Sequence, residues 1–377
     1  MKRLQRIWEG TVLSNPGSLH NYFAWPTVTV LEDGTLAAVS SGFRLEHVCP
    51  FGKSVIAYSR DEGYTWTPPT PVIDTLLDDR DAGILPLGGG DVIFTSFNNS
   101  LDFQTGNIGS RPGARADYVR NYLAYAKEND AFEKEQLGST FKFSRDGGYT
   151  WEEALHISPV TSPHGPLVTK AGRIVYVGNA FGVSPTRLEA WEIDRQSGEM
   201  TKLGTLPPVE EGRLPSEEPH AIELKDGRLL CIIRTEHQPT ENLSWQNAYD
   251  LFTLYQSTSS DGGRTWTVPV PLPTRADAEI EADKIGAPPH LLRLKDGRLL
   301  LSCASRISPL GIRIFVSDDE GASWEGFVLT EDLPFTADMG YPATAECADG
   351  TFFTVWYQHM DAKGDSPAII RGAKWRF

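Results

Sequence analysis

The chain has 377 residues, enough for a large buried core, and its 40% hydrophobic and 10% aromatic content excludes a disordered polymer. A formal net charge of −15, with no Lys/Arg run to offset it, argues against nucleic-acid and anionic-membrane partners. No apolar stretch approaches the roughly 18–20 residues of a membrane-spanning helix.

The chain begins Met1-Lys-Arg-Leu-Gln-Arg-Ile-Trp-Glu-Gly, basic but with no apolar segment behind. It therefore reads as cytoplasmic, or as secreted or periplasmic if a leader has been removed. Cys49, Cys231, Cys303 and Cys347 are widely spaced and lack Cys/His ligand spacing, which predicts buried reduced thiols and no metal or other cofactor.

Along the chain, Ile7–Leu13 reads as a strand. Thr27–Val30 and Thr35–Val39 then flank an Asp33-Gly34 turn and predict a hairpin. Ser59-Arg-Asp61-Glu-Gly63-Tyr-Thr65-Trp66 follows, and the same pattern returns at Ser144–Trp151, Ser259–Trp266 and Ser317–Trp324. In each such box the Asp accepts turn N–H bonds, Gly supplies a left-handed position and Trp covers the hairpin. Residues Trp191–Gly198 look like a degenerate fifth copy.

The hairpin turn recurs independently at Gly88-Gly89, Ala171-Gly172, Asp226-Gly227, Asp296-Gly297 and Asp349-Gly350, giving six turns in all. Six such units predict an all-β protein: a six-bladed β-propeller of four-stranded antiparallel blades forming one domain over residues 1–377. The N-terminal strand completes the last blade beside Ala368–Phe377, which closes the ring and removes the sheet edge. The interval between the second and third turns is the longest and locates an inserted loop with some helix, from Asn99 to about Gln136. This includes Arg111-Pro-Gly-Ala-Arg-Ala-Asp-Tyr, and it is expected on the pocket side or at a subunit contact, with a solvated surface decoration as the plainer reading.

About eight residues before each turn, the inner strands enter with Trp25, Arg80-Asp81, His164, Glu218, Pro288-Pro-His290 and Tyr341. The following strands leave at Arg44, Asn98, Asn179, Arg234, Arg306 and Gln358-His359. Inner strands of a propeller run the same way along the channel, so these ends meet at one mouth. Arginines gathered there in an acidic protein point to an anionic ligand; pairing with nearby carboxylates is the plainer reading of each one singly.

These residues and boxes resemble the sialidase (neuraminidase) superfamily over nearly the whole chain. The resemblance implies a tyrosine nucleophile activated by a glutamate, three arginines on the substrate carboxylate and an aspartate as acid/base. Ser216–Arg234 resembles the segment with the activating Glu218 and second arginine, Gly311–Ser317 the segment of the third arginine, with Arg313, and Asp338–Ala343 the nucleophile segment, with Tyr341. Two features depart from the family. Phe23-Ala24-Trp25-Pro26 stands where the family has Phe-Arg-Ile-Pro, and the loop Arg44–Lys53 before the first box contains no Asp.

The expected function is an exo-acting, retaining glycoside hydrolase that removes a terminal, acidic sugar from a glycan. Tyr341 and Glu218 are expected to act with an acid from Glu46, His47 or Asp81. Substrate contacts are expected from Arg234, Arg313, Arg306, Arg44 and Arg80, from Trp25 by stacking, and from His164 and His290. Three alternatives stand beside it: an exo-arabinanase-like enzyme working with carboxylates, a non-catalytic carbohydrate-binding propeller, and a lyase of uronic-acid glycans using His164, His290 or Tyr341 as base.

Overall fold

Each of the six predicted turns closes the inner hairpin of one four-stranded sheet, and the six sheets stand in a ring. The computed structural model describes residues 2–108, 114–129, 131–209, 217–236, 252–275, 288–306, 309–331, 333, 338–361 and 366–377. Blade 1 runs Tyr22–Val30, Leu36–Arg44, Lys53–Ser59 and Thr70–Ile73 from the channel outward. Blade 2 runs Asp78–Gly88, Asp91–Asn99, Ser139–Ser144 and His156–Ser158.

Blade 3 has a broken inner edge, because Val160–Thr161 and Leu167–Val168 both pair with Ile174–Ala180; Leu188–Ile193 and Met200–Thr205 lie outside them. Blade 4 runs Glu217–Glu223, Leu229–Glu236, Phe252–Ser259 and Val270–Pro271, and blade 5 His290–Arg293, Leu299–Ser305, Gly311–Ser317 and Glu325–Thr330. Blade 6 runs Gly340–Glu346, Phe352–His359 and Ala368–Arg376, completed by Gln5–Leu13.

The predicted closure is present, with Gln5 opposite Arg376 and Thr11 opposite Arg371. The N-terminus also does more than expected. Lys2–Arg3 adds in parallel to the outer strand of blade 5, with Lys2 opposite Phe327, so one segment stitches two blades together. Inner strands touch from blade to blade around the whole ring, including blade 6 against blade 1. The inner strands end their sheets at the channel, and the neighbouring blades cover these short edges. The cores lie between blades; one joins Phe23, Trp25 and Val28 of blade 1 with Ala343, Phe353 and Tyr357 of blade 6.

The boxes fold by their own chemistry. In the first, Ser59 Oγ donates to Asp61 Oδ1 at 2.8 Å, the Thr65 amide donates to the same oxygen at 2.9 Å, and Thr65 Oγ1 donates to Oδ2 at 2.6 Å. Asp146, Asp261 and Asp319 receive the equivalent Thr or Ser amide at 2.8–2.9 Å. Such donors favour the ionised carboxylate. The Thr150 amide foremost holds Asp146 at about 2, and the Thr265 hydroxyl and amide do the same for Asp261. The position before the box glycine is left-handed as well, and it is filled by Gly147 and Gly262 in two boxes but by Glu62 and Glu320 in the others. The degenerate copy in blade 3 keeps the Asp: Asp194 accepts the Ser197 amide at 2.7 Å.

The insertion is more helical than expected, with helices Leu101–Ile108, Ala114–Glu128 and Ala131–Gln136. Residues 109–113 and 130 lie outside the described residues, as does Ser216. Leu101, Ile108, Val119 and Leu123 pack on Leu45, Cys49 and Leu77, and Phe51 stacks on Tyr118 with ring centroids 4.9 Å apart. The insertion therefore buttresses the loop that carries Glu46 and His47. All four cysteines are buried and unpaired.

Candidate active site

Four inner strands share one irregularity. Their pairing register slips between Ala24 and Thr27, Arg80 and Gly83, Glu217 and His220, and Gly340 and Ala343. At each slip one side-chain-bearing residue is left-handed: Trp25 at φ 56°, Asp81 at 43°, Glu218 at 48° and Tyr341 at 54°. A bulge re-aims a side chain out of the strand's alternation, and each such residue costs on the order of 1–3 kcal/mol. These are the positions that enter the mouth ahead of the turns in blades 1, 2, 4 and 6.

Tyr341 donates its hydroxyl to Glu218 Oε1, and Arg234 Nη1 donates to the other oxygen, Oε2. Burial and the Glu218 and Asp81 charges push the Tyr341 phenol well above its usual range, while Arg234 and Arg306 pull it back. The phenol is thus neutral at rest, with a carboxylate already placed to take its proton. Arg306 is oriented by the Met339 carbonyl at 3.0 Å, and its Cζ lies 5.7 Å from the centre of the Tyr341 ring. Trp25, His47, Arg234, Arg306, Asp338, Tyr341 and Tyr357 enclose a cavity of about 430 Å³.

Asp81 and Glu218 line a neighbouring cleft of about 360 Å³ with Phe97, Asn179 and Phe181. Burial pushes the Asp81 carboxyl up to about 7, Arg80 opposing and Glu218 adding to the rise. Its Oδ1 is buried and has no hydrogen-bond partner among the described residues. A carboxyl held near neutrality can carry a proton to a leaving group.

His47 is fixed differently. Its Nδ1 lies 3.0 Å from Asp338 Oδ1, and Arg80 Nη2 lies 3.3 Å from its Nε2. A guanidinium only donates, so Nε2 accepts and the proton sits on Nδ1. His47 is therefore a neutral ring without an acidic proton facing Arg80.

Asp338 is the hub that sequence reasoning did not assign. Besides His47 it takes the Tyr22 hydroxyl at 2.7 Å, the Tyr357 hydroxyl at 3.0 Å and His359 Nε2 at 2.8 Å. Burial alone raises a carboxyl, but these donors, His359 foremost, hold Asp338 well below the usual range. Its place in the Asp338–Tyr341 segment and the strand exit at His359 were the only signals for it.

A family model described as a BNR repeat-like domain matches residues 26–354. The chain belongs to this BNR repeat-like family. No curated protein matches it. The fold is shared with a crystal structure of a protein of unknown function from Dyadobacter fermentans, at TM-score 0.73 and 22% identity over 100% of both chains. It is shared also with the intramolecular trans-sialidase of Ruminococcus gnavus, at TM-score 0.63 and 16% identity over 99% of this chain and 98% of that one. The NanB sialidase of Streptococcus pneumoniae gives TM-score 0.64 and 14% identity over 100% of this chain and 71% of that one.

Within this BNR propeller several expected contacts fall elsewhere. Arg313, expected at the carboxylate, lies on the third strand of blade 5 and donates to the carbonyls of Thr330 at 3.1 Å and Pro309 at 3.0 Å, outside the cavity wall. Arg44 is fully buried, paired with Asp78 at 2.5 Å and bonded to Ser41 and the Asp79 and His47 carbonyls, so it braces the mouth from beneath. Glu46 gives its carbonyl to Arg44 and does not line the cavity. His164 and His290 line a separate cavity along the channel. Trp25 is 1% exposed, with Arg80 Cζ 3.9 Å from its ring centre, so Arg80 occupies a stacking face expected for sugar.

Proposed function

We propose that the protein is an exo-acting, retaining glycoside hydrolase that removes a terminal acidic sugar from a glycan. The observation that carries this reading is the chain Tyr341–Glu218–Arg234 at the wall of an arginine-bearing cavity. Tyr341 Oη attacks the anomeric carbon as Glu218 takes its proton, and Asp81 protonates the departing glycosidic oxygen. Water then attacks the glycosyl–tyrosine bond, giving its proton to Asp81, while Tyr341 recovers its proton from Glu218. Arg234 and Arg306 face the substrate carboxylate, and Arg80 adds positive charge from the adjoining blade. The sialidases sharing the fold support a glycan as substrate.

A second reading rests on Asp81 and Glu218 sharing the wall of one cleft, which favours a carboxylate-only mechanism of the exo-arabinanase type. The lyase reading loses its histidine bases, since His164 and His290 are buried along the channel. A panel of aryl glycosides of sialic acid, arabinofuranose and uronic acids, read by release of the aryl group, separates these. Release from an acidic sugar supports the proposal. Release from arabinofuranose alone favours the second reading, and saturable binding with no release from any glycoside sinks both.

A further inference from the structure

Glu218 joins two cavities of opposite character. It takes the Tyr341 hydroxyl, and Tyr341 lines the cavity of about 430 Å³ that also carries Arg234 and Arg306. With Asp81, Glu218 itself lines the cleft of about 360 Å³, where Phe97, Asn179, Phe181 and Thr186 form much of the wall. Among the described residues that line this cleft, none is Lys, Arg or His.

Asn179 lies near the end of the strand Ile174–Ala180 of blade 3, and its Oδ1 accepts the Glu218 amide at 3.2 Å across the boundary to blade 4. A backbone N–H only donates, so the side-chain oxygen faces it and Nδ2 keeps two donors. Those donors meet no acceptor among the described residues. Nδ2 is not one of the buried unmet atoms either, so it opens on the space that Asn179 lines. The Ser184 and Thr186 hydroxyls of the same wall also lack a partner among the described residues. Phe97 and Phe181 are both half-buried, and each leaves part of its ring uncovered.

Aromatic rings beside amide and hydroxyl groups suit the C–H faces and hydroxyls of a sugar. A carboxylate in the cleft would leave water beside Asp81 and Glu218 with no cation to pair with, which is costly. Arg234 is engaged with Glu218 Oε2 and lines the other cavity, and Arg80 is turned to the Trp25 ring and the His47 carbonyl. Asp81 fixes which group enters the cleft. An acid that protonates the glycosidic oxygen lies against the departing group, and Asp81 lines the cleft and not the arginine-bearing cavity.

We infer that this cleft receives the leaving group, and that the leaving group is a neutral sugar held by Asn179 Nδ2 and the Phe97 and Phe181 rings. Given the hydrolase reading above, on which this rests, the enzyme parts a terminal acidic sugar from a neutral one and discriminates against chains of acidic sugars. The cleaved oxygen leaves on the neutral sugar with the Asp81 proton.

The full chain is assayed on the acidic sugar that the aryl-glycoside panel shows to be released, joined in turn to lactose, to methanol and to a second residue of the same acid. The lactose conjugate should exceed the acidic dimer in kcat/KM by about tenfold or more. Phe181→Ala should lower the ratio of kcat/KM for the lactose conjugate to that for the methyl glycoside by about tenfold, and Asn179→Ala provides the same test if Phe181→Ala does not fold. Saturation-transfer NMR with free lactose reads the cleft without turnover: lactose should bind the parent and be lost in the variant. Equal or faster cleavage of the acidic dimer, an unchanged ratio in a folded variant, or no lactose binding would overturn the subsite and leave the hydrolase reading intact. Lactose binding that depends on Phe181, with no glycoside cleaved, would overturn the hydrolase reading and leave the neutral-sugar cleft standing.

Discussion

The Arg80 guanidinium lies 3.9 Å from the centre of the Trp25 ring, across the boundary between the first two blades. Ala24 stands where the resembling family has an arginine, Trp25 follows it, and the neighbouring blade supplies a cation stacked upon the Trp25 ring. The pair is buried, where such a contact is worth about 2 kcal/mol.

Arg80→Met should therefore raise KM for an acidic glycoside by about tenfold or more and leave neutral glycosides nearly unchanged. Trp25→Leu should act in the same direction by releasing Arg80. Steady-state kinetics on a matched acidic and neutral pair checks this; equal losses on both substrates would remove Arg80 from carboxylate recognition.

Tyr341→Phe keeps the ring and deletes only the hydroxyl given to Glu218. Its kcat should fall by about 10²–10⁴, with Glu218→Gln in the same range and both variants melting near the parent. Near-normal turnover of Tyr341→Phe would assign the chemistry to the carboxylates alone.

Asp81, pushed up to about 7, is protonated below that pH and ionised above it. As the acid it should give kcat/KM a limb that falls as pH rises through about 7, and Asp81→Asn should lose that limb along with most activity. Stability follows the same sign. A raised carboxyl favours the folded state most below its unfolded pKa of about 4, and this contribution is lost as pH rises through about 7. Thermal melts of Asp81→Asn from about pH 5 to 9 should thus gain on the parent as pH increases.

Asp338 accepts from two tyrosines and two histidines, so Asp338→Asn strands donors in a crowded wall. A loss of about 3 kcal/mol is expected in denaturant unfolding. It should come with a fall in activity, since Tyr357 and His47 line the cavity. Wild-type stability of the variant would show that the hub is dispensable.

Blade count and ring closure were legible in the order of amino acids, and so was the approach of Trp25, Asp81, Glu218 and Tyr341 to one another, whereas His164 and His290 lie along the channel in a separate cavity. Those features are local: an Asp with its Thr, a Gly in a turn and a strand flanking it recur along the chain, so each can be read where it stands. Which side chains meet depends instead on how the blades close around the channel. Arg306 and Arg313 belong to the same blade, yet only Arg306 reaches the cavity, because Arg313 lies along the third strand with its guanidinium directed to backbone carbonyls. Asp338 gathers Tyr22 of blade 1, His47 of the following loop, and Tyr357 and His359 from one strand of blade 6, and no local spacing encodes that meeting. The elevated Asp81 carboxyl likewise comes from burial, with Glu218 brought up from another blade, a property of the enclosing sheets and not of the residue's neighbours in sequence.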